Sequence, residues 1–383
     1  MRAGQAVTTM PDNRSESLGF VPGLVSVSLV TTNESCWLPG CIKSTRSQTY
    51  QPIEIVVVDN ASTDGTRELM ATFDAEAVLV CNDANRGFAE SHNRGIQRGR
   101  GEFVLVMNPD VVLDAHFVET LVHAAQRHPE AAAFTGKLLQ MRERPGDVEP
   151  ARLDLTGFFP MRNGGTWDRG LHAEDGLKWS TADEVFGVSG CAALLRREAL
   201  VEVAEDGEYF DEAFFMYHED IDLAWRLQLH GWRARYEPRA VAWHVRNFFA
   251  DTPRRARSPL RNYHLTKNRY LVWAKDYPPL VLLRNSLNLA VWTLSAVIYL
   301  IVFERRSLPA LLEMLRLLPR SLRRRRVIMR RRRVSQRSVL QWFVWGQRER
   351  ERCGIARGNL WLERLRQLFA RRHRPTSADN SAG

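Results

Sequence analysis

From residue 24 onward, apolar positions fall in short β-branched runs separated by stretches long enough for a helix. Leu24 to Val30 and Ile53 to Val58 are nearly continuous apolar runs of strand length, the pattern of strands buried on both faces. Glu34 to Gln48, between them, is long enough for a crossover helix. Ala77 to Val80 and Phe103 to Met107 give two more strands, and Asp114 stands where an N-cap would open a helix running to about His128. This β-α-β-α rhythm predicts a doubly wound α/β sheet.

Beyond residue 135 the rhythm loosens. Arg142 to Trp179 is rich in Gly, Arg and Trp and reads as loops with short antiparallel strands. Helical spacing returns over Asp220 to Leu229, closed by Gly231 as C-cap. Leu280 to Phe303 is strongly apolar but carries Arg284, Asn285 and Asn288 in its first half. Only Leu289 to Phe303 is clean, which is short for the roughly 20 residues of a membrane span. Arg323 to Arg326 and Arg330 to Arg333 then flank Val327, Ile328 and Met329, with Trp342, Phe343 and Trp345 close behind. Cationic clusters beside apolar and aromatic residues suit a helix lying in the interface of an anionic membrane, ahead of a buried or oligomer-forming helix or a true span. The expected organisation is an arm over residues 1–23, a catalytic domain over 24–250, an apolar membrane-associating segment over 251–303 and an Arg-rich amphipathic tail over 304–383.

Charge sharpens this division. The 383-residue chain carries a net charge of +10, yet residues 304–383 hold 22 Arg against 6 acidic residues, so the first 303 residues are net negative. The tail has no groove-reading or base-stacking signature, which argues against nucleic acid as a partner. Five scattered cysteines with no CxxC spacing fit neither a disulfide framework nor a zinc site and favour a reducing compartment. Residues 1–23 contain no apolar core of a signal peptide and read as a disordered arm, so a cytoplasmic catalytic domain is expected.

Three constellations carry chemistry. Asp59 closes the run Val56 to Val58 and is followed by the turn residues Asn60 to Gly65. Ligands of open α/β sheets bind beyond such strand tips, although Asp, Asn and Ser are equally common in plain caps and turns. Asn108-Pro109-Asp110 ends the run Phe103 to Met107. It is either a Pro turn or a carboxylate placed for Mg²⁺ or Mn²⁺ beside a diphosphate. Between the tips, Asn85-Arg86-Gly87 and His92-Asn93-Arg94-Gly95 suit a tight backbone path and phosphate. The third constellation, Phe210 to Arg226, crowds Glu219, Asp220 and Asp222 at a helix start. Such crowding is either acidic capping or a carboxylate with a pKa raised for general-base work.

Taken in order, VVVDNASTDGT (56–66), NRGFA (85–89), NPD (108–110), GVSGCAALLRR (187–197), FDEAFFMYHEDIDLAWR (210–226) and Trp243-His244 resemble the family 2 glycosyltransferases of GT-A fold. The rhamnosyltransferase-like bacterial branch is the nearest resemblance, over about residues 24–250. It implies a GT-A mixed sheet with helices on both faces and an inverting sugar transfer from a nucleotide-diphosphate donor. Asp220, with Glu219 beside it, would be the catalytic base. Thr32, Asn33, Asp59, Asn85, Arg86, Gly87, Asn93 and Asn108 would bind the donor. Gly190, Cys191, Asp222 and Trp167 would line the acceptor cleft. Asp110 and His244 would hold a divalent cation, Mg²⁺ or Mn²⁺; the family's galactofuranosyltransferases place a ligand His 24 positions after the base, and 24 positions separate Asp220 from His244. Asn108 departs from the strict D-x-D motif and weakens cation binding, so the ion would arrive with the donor.

By the same resemblance the donor is dTDP-L-rhamnose ahead of a UDP- or GDP-hexose, and the acceptor is a polyprenyl-diphosphate-linked or other glycan met at the cytoplasmic face of the plasma membrane, where the protein would be peripheral. An inactive relative serving as a binding subunit is the second reading, and Asn108 permits it. The oligomeric state is left open by the sequence.

Overall fold

The computed structural model describes residues 19–73, 77–245 and 258–343. In chain order the first half comprises β1 (Val21–Thr31), α1 (Leu38–Arg46), β2 (Ile53–Asp59), α2 (Thr66–Ala71), β3 (Val78–Cys81), α3 (Gly87–Arg98), β4 (Gly101–Met107), β5 (Val111–Leu113), α4 (Phe117–Arg127) and β6 (Ala131–Gln140). The second half adds β7 (Leu153–Leu155), β8 (Phe158–Pro160), β9 (Thr166–Asp168), β10 (Asp183–Val185), β11 (Ala192–Arg196), α5 (Arg197–Val203), α6 (Glu219–His230) and β12 (Arg233–His244). Three helices follow: α7 (Pro259–Asp276), α8 (Pro279–Phe303) and α9 (Pro309–Arg331).

Ten strands form one mixed sheet along the path β10-β12-β6-β11-β4-β1-β2-β3, with β5 on β12 and β7 on β6. The β3-β2-β1-β4 half is parallel, and β11 enters antiparallel between β4 and β6. Val25, Val27 and Leu29 point to one apolar core, while Val104 and Val106 point to the other. Burial on both faces is why these strands read as unbroken apolar runs. Every parallel strand ends at the same edge, so the tips after β1, β2 and β4 share one cleft.

The mixed sheet is as expected, and the differences lie at the ends of elements. Strand β1 begins at Val21, so residues 21–23 belong to the sheet rather than to an arm; residues 1–18 lie outside the described residues. Asp114 is not an N-cap, since α4 starts at Phe117 after His116. Its Oδ1 instead accepts a hydrogen bond from the His116 backbone N–H at 3.0 Å, fixing the turn before the helix. Gly231 does close α6, at φ 98°, the left-handed conformation that glycine adopts without a Cβ penalty.

The C-terminal region departs further. The boundary expected at 251 lies outside the described residues; beyond it, α7 buries Leu271, Val272 and Trp273 in the same core as α6. Trp342 and Phe343, expected at a membrane, are buried instead. Trp342 lies against Phe159 and Phe186, and Phe343 against Trp225 and Tyr277. Among the arginines, Arg324 turns inward to Asp211 and Glu208, and Arg325 donates to the Ala274 carbonyl. Arg323, Arg326, Arg330 and Arg331 remain exposed. Trp345 lies outside the described residues.

Candidate active site

The first station stands at the tips of β1 and β2. Asp59 is fully buried; its Oδ2 accepts from Arg67 Nε at 3.0 Å and Nη2 at 2.7 Å, and its Oδ1 from the Ser62 N–H at 3.1 Å. Asn33, at φ 57°, accepts from the Thr63 N–H at 2.7 Å and so ties the loop after β1 to the loop after β2. Asn60 binds Asn85 Oδ1 at 2.9 Å and accepts from the Arg86 N–H at 2.7 Å, drawing the Asn85-Arg86-Gly87 turn to the same edge. Gly87 has φ 74°, and a Cβ there would collide with the Phe215 carbonyl, so the position requires glycine.

The second station follows β4. The Asn108 N–H donates to the Cys191 carbonyl at 3.0 Å, and β5 pairs with the end of β12 so that Val111 faces His244. This register places Asp110 Oδ1, which is otherwise unpartnered, 3.3 Å from His244 Nε2. Asp154 Oδ2 lies 2.8 Å from the other ring nitrogen, Nδ1. Burial lowers the His244 pKa, but Asp154 and Asp110 outweigh it and hold the imidazole well above its ordinary value. Glu34 shares this corner, and burial together with Asp110 pushes its carboxyl up to about 7.

The third station is the start of α6. Asp220 Oδ2 accepts from the Gly190 N–H at 3.3 Å and Oδ1 from the Ile221 N–H at 2.8 Å. Burial raises its pKa to about 6; the Gly190 hydrogen bond opposes this and the Asp168 charge adds to it. Glu219 is raised well above the carboxylate range, by burial first and then by Asp220. Gly190 and Cys191 lead directly into β11, whose Ala192 pairs with Met107 of β4. The second and third stations are therefore contiguous through Asp220, Gly190, Cys191, Asn108 and Asp110, and Glu34, in the loop after β1, joins the first station to the second.

The arrangement gathers Thr32, Asn33, Asp59, Asn85, Arg86, Gly87, Asn108, Asp110, Gly190, Cys191, Asp220 and His244 along one edge. Trp167, partly buried on β9, adjoins Asp168. Two of the expected site residues stand away from this edge. Asn93 is 1% exposed; its amide donates to the Phe210 carbonyl at 2.8 Å and accepts from the Phe210 N–H at 2.9 Å, so it braces a loop and does not face a donor. Asp222 is fully buried between Arg226 at 2.8 Å and Lys275 at 2.6 Å, which closes it to an acceptor. Glu34, Asp154 and Asp168 are additions, isolated acids in loops or short strands with no spacing signal to reveal them.

Comparison with known proteins gives the family. Residues 26–203 match the model of "Glycosyl transferase family 2". The chain is 30% identical over 247 residues to the N-acetylglucosaminyl-diphospho-decaprenol L-rhamnosyltransferase of Mycobacterium tuberculosis, covering 58% of this chain and 76% of the relative. It is 25% identical over 224 residues to the poly-beta-1,6-N-acetyl-D-glucosamine synthase of Staphylococcus epidermidis, covering 57% of this chain but only 49% of that synthase. Among solved structures, S. aureus TarS 1-349 in complex with UDP aligns at TM-score 0.46 and 14% identity over 80% of this chain and 90% of its own. GalNAc-T7 with UDP, GalNAc and Mn²⁺ aligns at 0.49 and 13% over 65% and 48%. A strand-tip cleft of this order, in a chain that shares 30% identity over most of a curated rhamnosyltransferase, makes the protein a member of glycosyltransferase family 2 with the GT-A fold.

Proposed function

We propose that the protein is an inverting glycosyltransferase that moves L-rhamnose from dTDP-L-rhamnose to a hydroxyl of a polyprenyl-diphosphate-linked glycan. The observation that carries this reading is the continuity of the three stations along one sheet edge, ending in Asp220, a carboxylate raised to about 6. A base with that pKa is deprotonated at neutral pH yet basic enough to take a hydroxyl proton. Asp220 removes the acceptor proton, and the oxygen attacks the anomeric carbon from the face opposite the nucleoside diphosphate. Asp59 with Arg67, and the Asn60-braced turn carrying Arg86, hold the nucleotide and its phosphates. The preference for rhamnose and for a lipid-linked acceptor rests on the mycobacterial relative, whose name states both.

Asp110 and His244 fit a divalent cation, because Asp110 Oδ1 meets only His244 Nε2, Asp154 orients the imidazole from its other nitrogen, and an ion would take the place of the proton between them. Among the described residues no group of three His, Cys, Asp or Glu side chains gathers to bind an ion unaided. Donor phosphate oxygens would complete the coordination. When bound, Mg²⁺ or Mn²⁺ supplies positive charge to the departing diphosphate. The test is turnover of dTDP-L-rhamnose, UDP-hexoses and GDP-hexoses by the purified chain, with and without EDTA. Rhamnose transfer that stops in EDTA and returns with Mg²⁺ or Mn²⁺ is expected. Transfer from a hexose donor alone would replace the donor assignment, and full activity in EDTA would leave Asp110 a hydrogen-bonding residue.

The membrane reading rests on α8. It has 25 residues, of which the most apolar 18 have a mean hydropathy of 2.0 and are 11% buried. Leu283, Leu287, Leu294 and Ile298 are more than half exposed, and Leu312 and Leu315 of α9 extend the apolar surface. With the exposed arginines of α9, these residues suit peripheral seating on an anionic bilayer, placing the cleft near a lipid-linked acceptor.

A further inference from the structure

The segment that delivers Glu219 and Asp220 is held in an unusual backbone path. Phe215, Tyr217 and His218 have φ of 66°, 66° and 73°, the left-handed region that bulky side chains avoid. Such a path persists only where its surroundings impose it. On one side the Phe215 carbonyl accepts from the first amides of α3, Phe88 N–H at 2.6 Å and Ala89 N–H at 3.2 Å. On the other side stands α7. The buried Asn268 side-chain amide donates to three carbonyls of the segment: Phe214 at 2.9 Å, Met216 at 2.9 Å and Tyr217 at 2.7 Å. Lys267 Nζ donates to the Ala213 carbonyl at 2.8 Å.

Seven residues along α7, on the same helix face, Lys275 closes the base of this segment. Its ammonium lies 2.8 Å from Asp211, which precedes the segment, and 2.6 Å from Asp222, in the first turn of α6. One cation thus ties the two ends, and one amide ties the middle. Neither Asn268 nor Lys275 reaches the cleft.

We propose that Asn268 and Lys275 are positioning residues for the transfer reaction: α7 imposes the positive φ of Phe215, Tyr217 and His218 and thereby sets where the Asp220 carboxylate stands against Gly190. The inference rests on Asp220 being the base. It makes the C-terminal region part of the catalytic apparatus, since α7 runs through Tyr277 and Pro278 directly into the apolar helix α8. The helices from Pro259 onward therefore act as more than an attachment.

The test uses the full chain with dTDP-L-rhamnose, a polyprenyl-diphospho-N-acetylglucosamine acceptor and Mg²⁺. Asn268→Ala frees three carbonyls while leaving every cleft side chain in place. Its kcat is expected to fall by about 10²-fold, the loss that follows a displacement of about 1 Å at a reacting group, with KM for dTDP-L-rhamnose unchanged within about twofold. The acid limb of the kcat profile is expected to move below pH 6 as water reaches Asp220, which is faced otherwise by Asp168, Glu219 and Ser189. A folded Asn268→Ala with wild-type kcat and acid limb, and only a lowered melting temperature, would overturn the proposal. If that variant does not fold, Lys267→Met removes one donor at the rim of the same grip, and the same two readouts decide. Wild-type protein that transfers no sugar from any donor would instead count against the functional reading beneath this inference.

Discussion

Asp220 differs from its acidic neighbours in what faces it. Asp222 meets two cations and is closed to the cleft, whereas Asp220 meets two backbone amides and remains at the cleft edge. The acid limb of kcat/KM should therefore lie near pH 6, with activity falling as Asp220 takes a proton below that pH; a limb near pH 4 would mean an ordinary, solvated carboxylate. A second residue prediction concerns Gly87. Gly87→Ala adds a Cβ against the Phe215 carbonyl at a positive φ, and thermal unfolding should show a loss of about 1–3 kcal/mol. Asp59 and Asp220 were legible because each stands in a contiguous run of chemistry-bearing residues. Asp154 was not, since its partner His244 is 90 positions away and only the shared pairing of β7 and β12 with β6 brings them together.

Elements at strand tips were easier to foresee than elements packed by charge. The parallel strands advertise themselves through double-sided burial, and α6 through its acidic start and Gly231. Helix α7 carries Lys267, Asn268, Lys275 and Asp276 on buried positions, a pattern that resembles a polar surface until its partners are known. Lys275 meets Asp211, Glu205 and Asp222, while Arg226 and Arg324 add two more cations, so three carboxylates face three cations in the interior. Removing one member leaves an uncompensated buried charge. Lys275→Met should cost about 3–5 kcal/mol in denaturant unfolding, and a cost below about 1 kcal/mol would show the cluster to be hydrated. Trp342 and Phe343 misled for a related reason: an isolated aromatic near arginines has the composition of a membrane anchor whether it points outward or, as here, into a core.

At the scale of the whole molecule, exposed apolar surface gathers on α8 and α9 and positive charge on the sequence from residue 304, while the sequence that builds the cleft is net negative. Because α7 and residues 339–343 are built into the core, truncation after α7 would damage the fold and say little about lipid. Leu287→Glu with Ile298→Glu alters only exposed positions of α8. This double variant should keep wild-type unfolding yet lose most sedimentation with anionic liposomes; unchanged sedimentation would place the attachment elsewhere. The central claim is sugar transfer with Asp220 as base, and one comparison tests it most directly: turnover of dTDP-L-rhamnose by wild-type protein and by Asp220→Asn, with dTDP affinity measured alongside. The account predicts a loss of about 10²–10⁴-fold in kcat with dTDP binding intact. Wild-type turnover in Asp220→Asn would contradict it.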